Sequence, residues 1–379
     1  MKKPKSTTPD ATRPPEADPT ETISALPEGQ TRISCSRNMG EWMASNGVSL
    51  AFTSYQTGQL FLVGLLPDGR ISFHQQSFVR AMGVHGEPER VYVAGLNQLW
   101  RLENVLQPHE RANGSFDRLY MPRNAQVTGD LDIHELGVDR AGRVVFVNTK
   151  FSCLAVPSVS RSFRPIWKPS FISKLAAEDR CHLNGLAMQD GQVRYVSCVG
   201  PSDMVDGWRD HRREGGMLID VADDRVVAQG LSMPHSPRLR RSGELLVLDS
   251  GRGQLEQVDP ATGKREQISF LPGFARGMAL WNGFALVTVS LPRDGSFEGL
   301  ELQDALKARG GEPRCGVQVI DLRTGDVVNW ISLSGHIKEL FDIAILPGVV
   351  CPMGVGLGAP EMSSLINFDE TFGPLEVGG

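Results

Sequence analysis

The chain has 379 residues, 40% of them hydrophobic, and carries 39 Lys and Arg against 44 Asp and Glu, a net charge of −5. That balance gives no electrostatic footing for nucleic acid or an anionic membrane surface, so a small or neutral partner is expected. No stretch reaches the ~20 apolar residues of a membrane helix, and six scattered cysteines without a CxxC pair fit reduced thiols in a cytoplasmic protein.

Residues 1–28, "MKKPKSTTPDATRPPEADPTETISALPE", hold six prolines and little that could build a core; a disordered tail is expected there, followed by one domain over 29–379. From residue 30 onward the apolar runs are short, rich in Val, Leu, Ile and Phe, and broken by Gly, Asp or Asn turns, which is strand punctuation. "EWMASNGVSLAFTSYQTGQLFLVGLLPDGRISFHQQ" reads as a four-stranded unit. One pattern then recurs in "RAMGVHGEPERVYVAG", "HELGVDRAGRVVFVNT", "HLNGLAMQDGQVRYVSC", "HSPRLRRSGELLVLDS" and "RGMALWNGFALVTVS". A polar leader precedes an apolar strand, a turn and a second hydrophobic strand. The leaders are Arg80, His134, His182, His235 and Arg276, each four positions before an apolar residue: Val84, Val138, Leu186, Leu239 and Leu280.

Periods of roughly 40–55 residues, with about four strands in each, are those of β-propeller blades. Near the C-terminus "ELFDIAILPGVVCPMGV", led by Glu339, reads as the first two strands of another blade, which "TRISCS" would complete as an outer strand. The expected fold is all-β: a single propeller, seven blades favoured with the last closed by both termini, and six blades plus an extra hairpin as the alternative.

First strands line a propeller's channel, so His134, His182 and His235 are expected to meet at one mouth, with Arg80, Arg276 and Glu339 completing the ring. The ends of the second strands return to that face with Asn148, Ser197, Asp249 and Ser290. Two long excursions, 200–216 and 291–313, leave from it as lids, the second with a short helix. Three neutral imidazoles suit one divalent transition metal, Fe, Zn or Cu, with positions left open for water or substrate. Arg80 and Arg276 would hold a substrate carboxylate, and Asp249 is the rim residue placed as a base. Asp132 and Glu135 flank His134 as acceptors to orient its ring. In "MPHSPR" the prolines fix φ at Pro234 and Pro237 and bias Met233 and Ser236 toward extended backbone.

"MPRNAQVTGDLDIHELGVD", "FVNTKFSCLAVPS", "SFRPIWKPSFISKLAAEDRCHLNGLAM", "GLSMPHSPRL" and "PGFARGMAL" resemble the signature blocks of a bacterial family catalogued as domain of unknown function 4915. The resemblance spans roughly residues 33 to 295 and implies a propeller, with no activity attached. A looser likeness, of architecture only, is to peptidylglycine amidating lyase, a propeller enzyme that holds zinc through three channel histidines with arginine nearby. Its ligands come from alternate blades, whereas the three here come from consecutive ones.

These readings converge on a metal-dependent enzyme with a three-histidine centre at the channel mouth. It would act by lyase, hydrolase or oxygenase chemistry on a small metabolite or an amino-acid or peptide group, carboxylate-bearing substrates included. The alternatives are a non-catalytic propeller that binds a peptide or protein partner, and a metal-free site for an anion.

Overall fold

The computed structural model describes residue 27 and residues 29–368. The tail expected over 1–28 thus lies, Pro27 apart, outside the described residues. Six antiparallel sheets make the blades. Blade I is Val48–Ser54, Gln59–Leu65 and Ile71–Ser77, with an innermost strand, Ile343–Pro347, supplied from the far end of the chain. Blade II is Val84–Glu87, Arg90–Ala94, Gln98–Asn104 and Arg118–Val127. Blade III is Ile133–Val138, Val144–Asn148, Cys153–Val156 and Arg164–Trp167, and blade IV is Leu183–Gln189, Gln192–Cys198, Gly216–Asp220 and Arg225–Leu231. Blade V is Pro234–Leu239, Leu245–Asp249, Gln254–Val258 and Arg265–Phe270. Blade VI is Phe274–Trp281, Phe284–Ser290, Gly316–Asp321 and Val327–Gly335.

The ring therefore has six blades, and the seven favoured from the sequence are corrected. "EWMASN" is helical, within Met39–Asn46, rather than an inner strand, and "DIAILPG" supplies one inner strand rather than an opening hairpin. Two incomplete units, far apart in the sequence, are one blade in space. The helix stops at Gly47, whose φ of 60° is the left-handed conformation that glycine adopts at little cost. Thr31–Cys35 adds a fifth strand to the outer edge of blade VI, and Pro352–Gly354 lies parallel to the outermost strand of blade II. Each end of the domain thereby crosses into a neighbouring blade and fastens the ring.

Both faces of a blade pack against other blades, which is why Val48–Ser54, Val144–Asn148 and Leu245–Asp249 are buried along their whole length. Between blades VI and I, Phe52, Phe61 and Val63 meet Leu286, Val319 and Ile331, with Trp42 edge-on to Phe284 at 5.5 Å. Burial of each such side chain contributes about 1.5–3 kcal/mol. Near the axis the backbones themselves touch. A Cβ on Gly185 would stand 2.5 Å from Pro237 Cδ, and one on Gly277 2.6 Å from Asp342 Cα. The channel is thus narrow enough for side chains from different blades to reach each other.

Candidate functional site

His134 lies within the first strand of blade III, His182 immediately before that of blade IV, and His235 within that of blade V. Their rings come together: His134 and His182 have ring centres 4.9 Å apart and His134 and His235 6.4 Å apart. All three side chains are buried or nearly so.

Each imidazole is held by Nδ1. His134 Nδ1 lies 2.9 Å from Asp132 O and 2.8 Å from Thr149 Oγ1; His235 Nδ1 lies 2.9 Å from Met233 O and 3.2 Å from Ser250 Oγ. The hydroxyl protons are committed elsewhere, Thr149 donating to Leu183 O at 2.7 Å and Ser250 to Ala275 O at 2.6 Å. A carbonyl only accepts, so Nδ1 must carry the ring proton in both histidines. His182 Nδ1 donates to Asp179 Oδ2 at 2.8 Å, an oxygen that also takes Trp208 Nε1 at 2.8 Å. Burial holds the pKa of His134 below that of a free imidazole and that of His235 well below it. His134 and His235 are therefore neutral rings whose Nε2 lone pairs are left available, and His182 is oriented in the same way.

The backbone bends to achieve this. Asp132 (φ 54°) and Met233 (φ 50°) each turn a carbonyl back onto the histidine two residues later, while Asp179, His182 and Ser236 also have positive φ. The expectation that Met233 and Ser236 would be extended is corrected: both precede proline, and both are left-handed. Proline disfavours the right-handed helical region for the preceding residue and pushes it toward extended backbone, so the left-handed turns at Met233 and Ser236 run against that local bias. Such conformations cost of order 1–3 kcal/mol each and cluster where a site demands them.

The excursions roof this face. Trp208, in the short helical turn Gly207–His211, stacks on His182 with ring centres 4.2 Å apart. His211 itself is exposed. Phe297, Leu302 and Leu306, the last two on the expected helix (Glu301–Ala308), pack with Phe274, whose ring makes a T-shaped pair with His235 at 5.6 Å between centres. Arg213 Nε donates to Gly299 O at 2.7 Å and joins the two roofs.

Arg276 and Glu339 come together as an ion pair at 3.2 Å, with Arg276 also donating to Ser290 Oγ at 3.1 Å. Arg80 pairs instead with Asp130 and Asp132 and so stands one residue removed from His134. Asp249 does not reach the imidazoles as a rim base: its carboxylate takes the Ser232 amide at 2.9 Å and pairs with Arg252 at 2.7 Å and Arg265 at 3.5 Å. The residues that meet the rings are one later, Thr149 and Ser250, each 15 after its histidine. Alternate strand residues face opposite ways, so a one-residue slip exchanges a rim hydroxyl for a carboxylate inside blade V. Asn148 and Ser197 likewise turn to local partners, Phe151 N and Asn184.

Beneath the histidines the channel is plugged. Glu135 accepts Leu186 N at 2.8 Å and Ser236 Oγ at 3.2 Å and pairs with Arg238. It does not orient His134; Asp132 does. Asp342 accepts Val84 N at 2.9 Å, and burial raises its pKa to about 8. Asp342, Asp179, Trp208, Tyr55 and Arg293 carry no repeat signal in the sequence; the shared spacing of 15 could have found Thr149 and Ser250.

Do these residues fit a metal? Imidazoles bound through Nε2 at about 2.0–2.1 Å hold ring centres roughly 4.5–5.5 Å apart. The His134–His182 pair meets that, and the His134–His235 pair stands about an ångström wide of it. Among the described residues no three His, Cys, Asp or Glu side chains are already drawn to one point. The donor chemistry fits: nitrogen lone pairs, Nδ1 anchored to carbonyl, hydroxyl or carboxylate, and a buried Asp179 Oδ1 without a partner.

A family model described as "Domain of unknown function (DUF4915)" matches residues 37–355, most of the chain. The chain belongs to that family. No curated protein matches it. Among solved structures, a chain of the crystal structure of the Nidogen/Laminin Complex is similar at 13% identity and a TM-score of 0.50, over 80% of this chain and 99% of that one. At such identity the likeness concerns the fold alone, a propeller. Among the described residues no helix is long and apolar enough to cross a membrane.

Proposed function

We propose that this DUF4915 chain is a metal-dependent enzyme whose centre is His134, His182 and His235, acting on a small molecule or an amino-acid or peptide group. The observation that carries the reading is that all three imidazoles are pinned through Nδ1, which leaves three Nε2 atoms for one cation. A bound Zn, Fe or Cu ion would supply Lewis acidity, an activated water or oxygen binding, the chemistry of lyases, hydrolases and oxygenases. The chain's own contributions are distinct. Asp132, Asp179 and Met233 fix the rings, Trp208 and the Phe297 roof exclude water, and Arg276 offers a cation to substrate. Six unpaired thiols support a reducing, cytoplasmic setting.

The test is metal content. Protein purified without chelator, then stripped and reloaded with Zn, Fe or Cu, is expected to hold one ion per chain, and His182→Gln to hold none. Absence of uptake by the native chain rejects the reading. Anion binding by the stripped protein would then favour a metal-free site, for which the pairing of Arg276 and Arg293 with a single carboxylate speaks.

A further inference from the structure

Beside the histidines stands a group whose charges do not balance. Arg276 from blade VI and Arg293 from the second excursion both reach Glu339 Oε2, at 3.2 and 2.9 Å. Tyr55 from blade I donates its hydroxyl proton to the same oxygen and accepts from Arg293. Among the described residues, Glu339 is the one carboxylate paired with either arginine, so two guanidinium charges face one acid.

The surroundings are aromatic. The Arg276 guanidinium lies 4.7 Å from the ring centre of Phe274, 5.4 Å from that of Tyr55 and 5.9 Å from that of Phe341. Phe274 and Phe341 are also the rings that stand roughly perpendicular to His235 and His134, with ring centres 5.6 and 5.2 Å apart. Two side chains thus span from the surplus cation to the imidazoles. The arginines differ in freedom: the Arg276 side chain is 10% exposed and tied to Ser290, whereas Arg293 is 58% exposed on the roof.

We propose that Arg276 and Arg293 form the subsite for the single carboxylate of a small acid with a flat apolar body, with Arg293 as the residue that selects it. The proposal rests on the three-histidine reading only for the statement that this acid is the substrate. One surplus positive charge matches a monoanion, whereas a phosphate group, at about −1.5 to −2, would leave the site over-neutralised. Guanidinium forks suit carboxylate geometry, and the faces and edges of Phe274, Phe341 and Tyr55 suit a planar body more than a branched aliphatic one. Arg276 is preorganised by burial; Arg293, at the door, adds its bonds as the acid enters.

Calorimetric titration of the full chain with benzoate, benzamide and phenyl phosphate tests this. Benzoate is expected to bind, benzamide to bind roughly tenfold more weakly or not at all, and Arg293→Gln to weaken benzoate roughly tenfold while leaving its thermal midpoint near that of Arg323→Gln, an exposed control. Absence of benzoate binding, equal binding of benzamide, or unchanged binding by Arg293→Gln overturns the subsite. Tighter binding of phenyl phosphate overturns the monoanion assignment. Elemental analysis of the same samples keeps the two readings apart: Arg293-dependent benzoate binding without metal uptake sinks the metal centre and leaves the subsite standing.

Discussion

The two mouths of one channel are built from the same inner strands and share almost nothing else. At the histidine mouth, Asp132, Asp179, His182, Met233 and Ser236 have positive φ and the polar atoms are aimed at imidazoles. At the other mouth a cavity of about 370 Å³ is lined by Leu136, Leu186, Met188, Leu239, Leu280 and Ile345, and none of its lining residues has a positive φ. Between them lie Glu135 and Asp342, with Arg238 reaching from the cavity lining to pair with Glu135. The difference separates what folds the ring from what the ring presents: apolar side chains in relaxed strands at one end, strained turns and buried donors at the other.

The plug between the mouths is where that division breaks most easily. Arg238→Met leaves Glu135 buried without its cation, and the loss of stability in urea unfolding at pH 8 is expected to be about 3–5 kcal/mol. Burial raises the pKa of Glu135, so the variant takes up a proton there as pH falls and recovers part of the loss. A loss independent of pH would mean that packing, not charge, is what Arg238 supplies.

Asp342 gives an effect of comparable size, with a sign fixed by its pKa. Its folded-state value of about 8 lies above its ordinary 3.8, so the folded chain binds the extra proton between those values. The stabilisation is complete below pH 3.8 and lost as pH rises toward 8, by up to about 1.4 kcal/mol per pH unit. Asp342→Asn keeps an acceptor for Val84 N and should flatten that part of the profile. Gly185→Ala follows at about 1–3 kcal/mol, because its Cβ would meet Pro237 Cδ at 2.5 Å and Ser197 Oγ at 2.6 Å.

What the sequence could show of this comparison depended on repetition. The histidines were legible because three blades place them at one offset from an apolar strand position, and that offset survives in space as ring centres 4.9 and 6.4 Å apart. The blade count was not, because Ile343–Pro347 and Val48–Ser54 belong to one sheet across nearly the whole chain. Tyr55 and Glu339 meet across 284 residues, and no local pattern announces such a pair. Asp249 and Ser250 differ by one position along the chain, the smallest displacement that turns a side chain to the opposite face.

The smallest expected effect on stability is also the one that isolates the histidine mouth. Thr149 Oγ1 sits 2.8 Å from His134 Nδ1 and donates to Leu183 O, so it ties the imidazole of blade III to the head of blade IV. Thr149→Val keeps the shape and removes both bonds. Asp132 O still accepts from Nδ1, so the ring keeps its tautomer while losing part of its aim. Stability should fall by about 1 kcal/mol, a shift of a few degrees in thermal midpoint at most for a chain of this size. Metal affinity, where outer partners of ligating histidines act, should fall roughly 10–100-fold, measured by competition with a chelator. Ser250→Ala repeats the experiment on His235, where the longer 3.2 Å contact predicts a smaller loss. If both variants lose stability and neither changes affinity, the hydroxyls serve only to join neighbouring blades, and the mouth with the strained turns is as structural as the apolar one.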